Sequence, residues 1–310
     1  MLMKNFSLKI LVVAMFNALW ANCNVYKPLI QKNGEPSETL IKLFDATKIE
    51  YEKTATGMNK VAQSNFLRKD NEERWQIQSD KWEKDREIIV PILDDLGMTK
   101  CVRPTKQEYN HVIIFGAKVD RMRLRLEQLI SHFKEDLKFE KIYFLVGQRE
   151  LDSKNENEDV LYNPNKSLVL FKKGWQRPEN KPQTEAQAAE MIWNQTEMPE
   201  ELEKKCVEFI SVSMITNTET GETRRPNTED TVKKWLSNVS KLENVMAVSN
   251  QPFVLYQHET LVGAISRAGR LSDDVTIETV GKEAKIDTQI SVHLDNVART
   301  LYTEVQNLNL

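Results

Sequence analysis

The chain has 310 residues, enough for one large domain with an extension or for two small domains. Its 43 basic and 46 acidic residues give a net charge of −3, so it lacks the overall positive charge that holds nucleic acid or an anionic membrane surface. Its four histidines and three cysteines show no spacing typical of a zinc site, so no metal centre is expected.

Residues 1–23 have the layout of a secretory signal peptide. Two lysines precede an apolar run from Ile10 to Trp20, which small or polar residues follow. This run is shorter than the roughly 20 apolar residues of a permanent membrane span, so we expect cleavage and no retained anchor. Lipidation at Cys23 is a second interpretation, which the bulky Trp20 and the polar Asn22 disfavour. The expected location is the periplasm or the cell envelope.

Residues 24–105 are predicted to form a helical layer on the main domain. Apolar residues recur there at three- and four-residue steps in a highly charged background, the pattern of amphipathic helices. Trp75 and Trp82 lie seven residues apart, which favours a packed helix face over a sugar or base site. Pro91 and Gly97 are expected to mark the end of this region.

Residues 106–310 alternate between short apolar runs and helical patterns. Buried parallel strands are the best interpretation of five runs, HVIIFGA, KIYFLVG, CVEFISVS, NVMAVSN and DVTIETVG. Because helical patterns lie between them, we predict βαβ crossovers and an α/β, doubly wound, mainly parallel sheet with an N-terminal helical extension. A last helix is expected at about 292–306.

The connection between Gly147 and Thr184 is unusually long, polar and rich in Asn, Glu and Pro. Such an insertion is often a lid or a binding loop, and a disordered surface segment is an equal alternative. The stretch SLVLFKKGW within it could form an extra strand.

Ligands of open parallel sheets bind beyond the carboxyl ends of the strands, where loops meet helix N-termini. That rule selects residues 116–121, 147–150, 211–216 and 249–251, and within them the ligand-binding candidates Gly116, Arg121, Gly147, Ser249 and Asn250.

The stretch RRPNTEDT precedes another predicted helix. Asn227 and Asp230 would form an ordinary capping box there, which requires no function. Arg224 and Arg225 are harder to explain, because the helix dipole opposes two adjacent cations before an N-terminus, although many loop arginines are simply solvated. Together with Arg121, the residues Arg225, Asn227 and Thr228 would bind a phosphate or carboxylate.

Three carboxylates are candidates for catalysis. Glu185 lies in the first turn of a predicted helix, where the dipole alone would favour it. The functional alternative pairs Glu185 with Glu229 or Asp230 across one cleft, as general acid and base on a glycosidic, ester or phosphoester bond. The chain has no dinucleotide-binding, Walker or nucleophile-elbow motif, so no cofactor is assigned.

Five motifs in order resemble the YdcF/SanA/ElyC-like bacterial domain family of unknown function. They are VIIFGA followed by Arg121, IYFLVG, TEAQAAEM, RRPNTEDT and VMAVSN, within about residues 110–263. The resemblance implies a Rossmann-like fold with a polar cleft. The family typically has a His and an Arg after the fourth strand, where this chain reads SNQPFVLYQHET. Either the site is altered, or His258 and Arg267 replace them.

We therefore expect an exported, envelope-associated protein. Its partner would be a small anionic or sugar-containing ligand, namely a sugar-phosphate, lipid-linked or cell-wall-derived molecule, with processing of that ligand left open. The alternative is a non-catalytic module for a nucleotide-like ligand such as S-adenosylmethionine. Export disfavours that alternative, because the cofactor is made and used in the cytoplasm.

Overall fold

A computed structural model describes residues 27–68 and 80–309, so the predicted signal peptide and Trp75 lie outside the described residues. The strands are β1 (Glu108–Phe115), β2 (Lys138–Gly147), β3 (Cys206–Val212), β4 (Ile215–Thr216), β5 (Thr223–Arg224), β6 (Asn244–Asn250) and β7 (Thr276–Lys282). Five of them form one all-parallel sheet in the order β3-β2-β1-β6-β7, while β4 and β5 form a separate antiparallel pair.

The α-helices lie on both faces of the sheet and in an N-terminal region. They are α1 (Glu38–Thr47), α2 (Ala55–Asn65), α3 (Arg86–Asp95), α4 (Val119–Lys134), α5 (Glu158–Tyr162), α6 (Glu185–Gln195), α7 (Glu200–Glu203), α8 (Thr228–Asn238), α9 (Val254–Arg267) and α10 (Ile290–Leu308). This arrangement confirms the predicted α/β, Rossmann-like fold with an N-terminal helical region.

Alternate residues of β1 enter two different apolar cores. Val112 and Ile114 pack in the core that includes α4 and α6, whereas Ile113 and Phe115 pack in the core that includes α8 and α9. Successive side chains of a strand point to opposite faces, so helices on both sides of the sheet bury both sets. Both faces of β1 are therefore covered, as its unbroken apolar run predicts.

Helices α1 to α3 share a third apolar core with the last helix, α10. Phe44 of α1 and Leu294 of α10 are fully buried in it. Trp82 lies in the same core, before α3 begins, with its ring edge-on to Phe66 at 5.6 Å between centroids. The N-terminal region is therefore packed on the end of the chain.

Pro91 lies inside α3, which ends at Asp95 just before Gly97, so of the two predicted end markers Gly97 is confirmed and Pro91 is wrong. A proline removes the hydrogen bond from its own nitrogen to the carbonyl four residues earlier. Here that carbonyl belongs to Glu87, so the missing hydrogen bond falls near the N-terminal end of α3.

The long connection after β2 is packed against α4 and α6. Arg123 of α4, only 1% exposed, donates hydrogen bonds to the carbonyls of Val160 and Leu161 and to Oε1 of Gln195. The stretch SLVLFKKGW forms no strand, and Phe171 makes only an isolated bridge with Thr196.

Within the described residues, no helix combines the length and apolar character needed to cross a membrane.

Candidate functional site

A cleft of about 410 Å³ opens at the carboxyl edge of the sheet, between the loops that follow β1, β2 and β6. Chain order reverses at β1, which lies between β2 and β6, and ligands of doubly wound sheets bind at such a switch point. Six of the fifteen described lining residues are basic and two are acidic, although the whole chain is acidic. The basic residues are Arg68, Lys118, Arg121, Arg125, Arg149 and Arg225.

Arg121 projects into this cleft from the first turn of α4. Its guanidinium carbon lies 4.6 Å from the centre of the Phe253 ring, so the cation rests on an aromatic side chain. Within residues 27–68 and 80–309, no carboxylate forms an ion pair with this guanidinium, although the neighbouring Asp120 attracts it. Burial lowers the pKa of Arg121, but a guanidinium stays protonated at neutral pH. The cleft therefore contains a partly desolvated cation without an acidic partner among the described residues.

Arg149, after β2, is held by two buried carboxylates. Its Nε donates to Oε2 of Glu185 at 2.6 Å, and its Nη1 donates to Oε2 of Glu156 at 2.8 Å. A third bond runs from Nη2 to the carbonyl of Ala117 at 3.0 Å. Glu156 and Glu185 are themselves buried, 1% and 7% exposed. Their hydrogen bonds therefore hold the Arg149 guanidinium in a fixed position in the cleft wall.

Glu156 also binds the start of α4. Its Oε1 accepts a hydrogen bond from the amide of Val119 at 3.0 Å. A helix N-terminus after the first strand is the usual anion site of Rossmann-like folds. Here a carboxylate of the protein itself already lies at that position.

Glu185 lies behind the cleft lining and is not exposed in it. Its Oε1 accepts from the amide of Gly147 at 2.9 Å, and its Oε2 accepts from Arg149. Burial raises the pKa of Glu185 and outweighs the attraction of Arg149 and the hydrogen bond from the Gly147 amide, while repulsion by Glu156 adds a smaller rise. A raised pKa suits a general acid, but this carboxyl group is occupied in holding Arg149.

Gly116 and Gly147 surround that carboxyl group. A Cβ on Gly116 would lie 2.2 Å from Oε1 of Glu185, and a Cβ on Gly147 would lie 2.9 Å from Cγ of Pro226. Both predicted positions therefore need glycine for close packing. Gly116 lines the cleft, whereas Gly147 donates its amide to Glu185 from behind it.

Ser249 and Asn250 end β6 without lining the cleft. Ser249 is fully buried and its hydroxyl bonds to the side chain of Gln257. Asn250 accepts from Nε and Nη2 of Arg125 at 3.0 and 2.9 Å. Since Arg125 also donates to the carbonyls of Phe115 and Gly116, this arginine ties the ends of β1 and β6 together.

The start of α8 is a capping box. Asn227 accepts from the amide of Asp230 at 3.0 Å, and Asp230 accepts from the amide of Asn227 at 2.8 Å. Asp230 also pairs with Arg224. Burial alone would raise the pKa of Asp230, but the hydrogen bonds from Arg224 and from the Asn227 amide outweigh it, so the pKa is lowered. Arg225 and Thr228 line the cleft, while Asn227 and Asp230 do not.

Glu229 faces away from the cleft lining. It pairs with Lys233 at 2.8 Å and with Arg267 at 3.1 Å. Burial opposes its ionisation, but these cations lower the pKa of Glu229. The structure therefore does not bring Glu185, Glu229 and Asp230 together as exposed carboxylates of one cleft.

His258 and Arg267 also lie outside the cleft lining. His258 of α9 is near Thr279 of β7, 3.3 Å between Nδ1 and the hydroxyl, and burial lowers the pKa of His258 to about 4. Arg267, in the last turn of α9, pairs with Glu229 and Asn307. Neither residue supplies the cleft with the His and Arg that the family motif would place there.

Three residues at the cleft were not among the predicted site residues. Arg149 lies in a loop selected by the strand-end rule, and the sequence QRE after LVG was the only signal for it. Phe253 follows β6 and supports Arg121, but a single aromatic residue after a strand gives no ligand signal. Glu156, inside the long polar insertion, had no distinguishing pattern at all.

Among residues 27–68 and 80–309, no group of three His, Cys, Asp or Glu side chains could hold a metal ion. Comparison of the chain with protein-family models, with curated proteins and with solved structures finds no match.

Proposed function

We propose that the cleft binds a small phosphorylated molecule, with its anionic group on Arg121. The observation that carries this proposal is the guanidinium of Arg121, which is partly desolvated, rests on Phe253 and has no acidic partner among the described residues. Guanidinium groups bind phosphate through paired hydrogen bonds. An anionic ligand would supply the missing partner.

The surrounding residues support a ligand of sugar-phosphate size. The volume of about 410 Å³ lies in the usual range for small-molecule sites. Phe253 and Tyr256 give one wall an aromatic character, and Glu150, Asp152 and Thr228 add polar groups that a sugar could contact. The resemblance to the YdcF/SanA/ElyC-like family and the predicted export are consistent with an envelope sugar-phosphate or a lipid-linked or cell-wall-derived ligand.

The proposal is binding and does not include turnover. Glu185 is engaged by Arg149 and Gly147, and Glu229 and Asp230 are paired at the start of α8. Catalysis by these three carboxylates stays a prediction from sequence.

The test is calorimetric titration of residues 24–310 with glucose 1-phosphate, glucose, AMP and S-adenosylmethionine. We expect glucose 1-phosphate to bind and glucose to bind far more weakly. Arg121→Ala should weaken the affinity for glucose 1-phosphate about 10- to 100-fold, which is the range for lost hydrogen bonds to a charged group. Arg121→Lys should weaken this affinity less.

Arg103→Ala is the matched control, because Arg103 pairs with Glu135 on the surface and does not line the cleft. It should leave the affinity unchanged. Preference for AMP or S-adenosylmethionine over glucose 1-phosphate would replace the sugar-phosphate proposal by the nucleotide-like alternative. Equal binding to wild type and Arg121→Ala would overturn the role of Arg121.

A further inference from the structure

A second concave site lies between α3 and the loop that joins β7 to α10. It has a volume of about 530 Å³ and shares no lining residue with the cleft. Its apolar wall is formed by Val90, Pro91, Ala284 and Ile286. We call it the α3 groove.

The α3 groove exposes apolar surface. Ile286 is 96% exposed, and Pro91 is exposed beside it in the lining. Isolated exposed apolar residues are common, but here they surround one concavity large enough for a ligand. Burial of this wall against an apolar molecule would be favourable.

His293 gives the α3 groove a single buried polar group. This residue, in the first turn of α10, lines the groove and is only 3% exposed. Its Nδ1 is buried and has no hydrogen-bond partner among the described residues. Buried polar atoms are nearly always satisfied, so an orphaned imidazole points to a missing partner.

The imidazole is neutral at physiological pH. Burial, with the nearby positive charge of Arg86, lowers the pKa of His293 to about 4. A neutral imidazole has one donor and one acceptor nitrogen, so it suits a hydroxyl or an amide.

Charges around the α3 groove balance. Arg86, Lys100 and Lys285 line it together with an equal number of carboxylates, Glu87, Asp94 and Glu283. Arg86 is bound by Glu83 and by two carbonyls, and Lys100 lies 3.6 Å from Asp94. A rim of this kind gives no preference for a net-charged ligand.

We infer that the α3 groove binds an uncharged amphiphile, an apolar chain or ring that carries one hydroxyl or amide, with that polar group hydrogen-bonded to His293. The apolar part lies against Val90, Pro91, Ala284 and Ile286. This site is separate from the proposed phosphate cleft, since the two have no lining residue in common.

The test compares 4-butylphenol with butylbenzene, two probes with the same apolar body that differ by one hydroxyl. Titration followed by methyl NMR should show both probes shifting the methyl signals of Val90, Ala284 and Ile286. We expect 4-butylphenol to bind about five- to tenfold more tightly, the factor for one net hydrogen bond.

Two variants separate the contributions. His293→Phe keeps a ring of similar size and removes both nitrogens, so the advantage of the phenol should disappear while butylbenzene still binds. Ile286→Asp, at a 96% exposed position where folding is not at risk, should weaken both probes. Shifts of distant methyl groups instead, no binding of either probe, or a phenol preference that survives in His293→Phe would each overturn the inference. Glucose 1-phosphate binding is measured separately, so failure here leaves the cleft proposal standing.

Discussion

Helices α6 and α8 both begin with a capping box, but their first-turn carboxylates have different environments. Glu185 of α6 turns towards the sheet edge and is 7% exposed, while Asp230 of α8 lies near the surface and pairs with Arg224. In α6 the third helical position is Gln187, which completes the box. In α8 that position is Asp230 itself.

The position within the first turn explains the difference. A side chain at the third helical position reaches back to the N-cap residue of the same helix, so Asp230 accepts the hydrogen bond from the Asn227 amide. Glu185 is the first helical residue, and its carboxylate is free to contact another part of the chain, here Gly147 and Arg149. The same sequence signal therefore gives a local cap in one helix and a long-range anchor for a cleft arginine in the other.

Removal of Glu185 should have the largest effect on stability. Glu185→Ala removes one partner of the Arg149 guanidinium and leaves the buried Gly147 amide without an acceptor. Breaking a buried pair in this way lowers the free energy of unfolding by about 3–5 kcal/mol. Urea denaturation followed by tryptophan fluorescence would measure the free energy of unfolding. Glu185→Gln, which keeps the shape and an acceptor oxygen, should lose less. A loss below about 1 kcal/mol for the alanine variant would show that the anchor is dispensable.

Removal of Asp230 should have a smaller effect, because its bonds are local. Asp230→Ala loses half of the capping box and the pair with Arg224, which together should lower the free energy of unfolding by about 1 kcal/mol. Glu229→Ala is the matched control one residue earlier. It loses only partly exposed ion pairs, and we expect a change within about 0.5 kcal/mol. A larger loss for Glu229→Ala than for Asp230→Ala would contradict the cap interpretation.

The parallel sheet could be predicted because its information is local. Each strand of the sheet is a short β-branched run, and a helical pattern with turn residues separates most of them, so five strands and the main helices appear in the correct order. Of the two residues predicted to end the N-terminal region, Gly97 follows the end of α3, whereas Pro91 has a tolerated place inside that helix. Helix ends depend on where a single missing hydrogen bond falls, which the sequence does not show.

The candidate cleft could be predicted only in part. The strand-end rule and the RRPNTEDT motif selected Gly116, Arg121, Arg225 and Thr228, all of which line the cleft. They did not show that Glu185 and Asp230 point to different surroundings, because the direction of each side chain depends on partners that are distant in the sequence. Arg149 depends on Glu156, which lies in an insertion without a recognisable pattern.

The smallest effect is a difference in pH dependence between the two carboxylates. The pKa of Glu185 is raised in the folded protein, so protonation favours folding and wild type should lose stability relative to Glu185→Gln as pH rises above about 4. The pKa of Asp230 is lowered, so wild type should keep its advantage over Asp230→Asn above about pH 4 and lose it as pH falls below that value. Urea denaturation of the three proteins between pH 3 and pH 7 would measure both slopes. Slopes of the same sign would mean that Arg149 stabilises the Glu185 carboxylate more than burial destabilises it, and the contrast between buried anchor and surface cap would then be one of position alone.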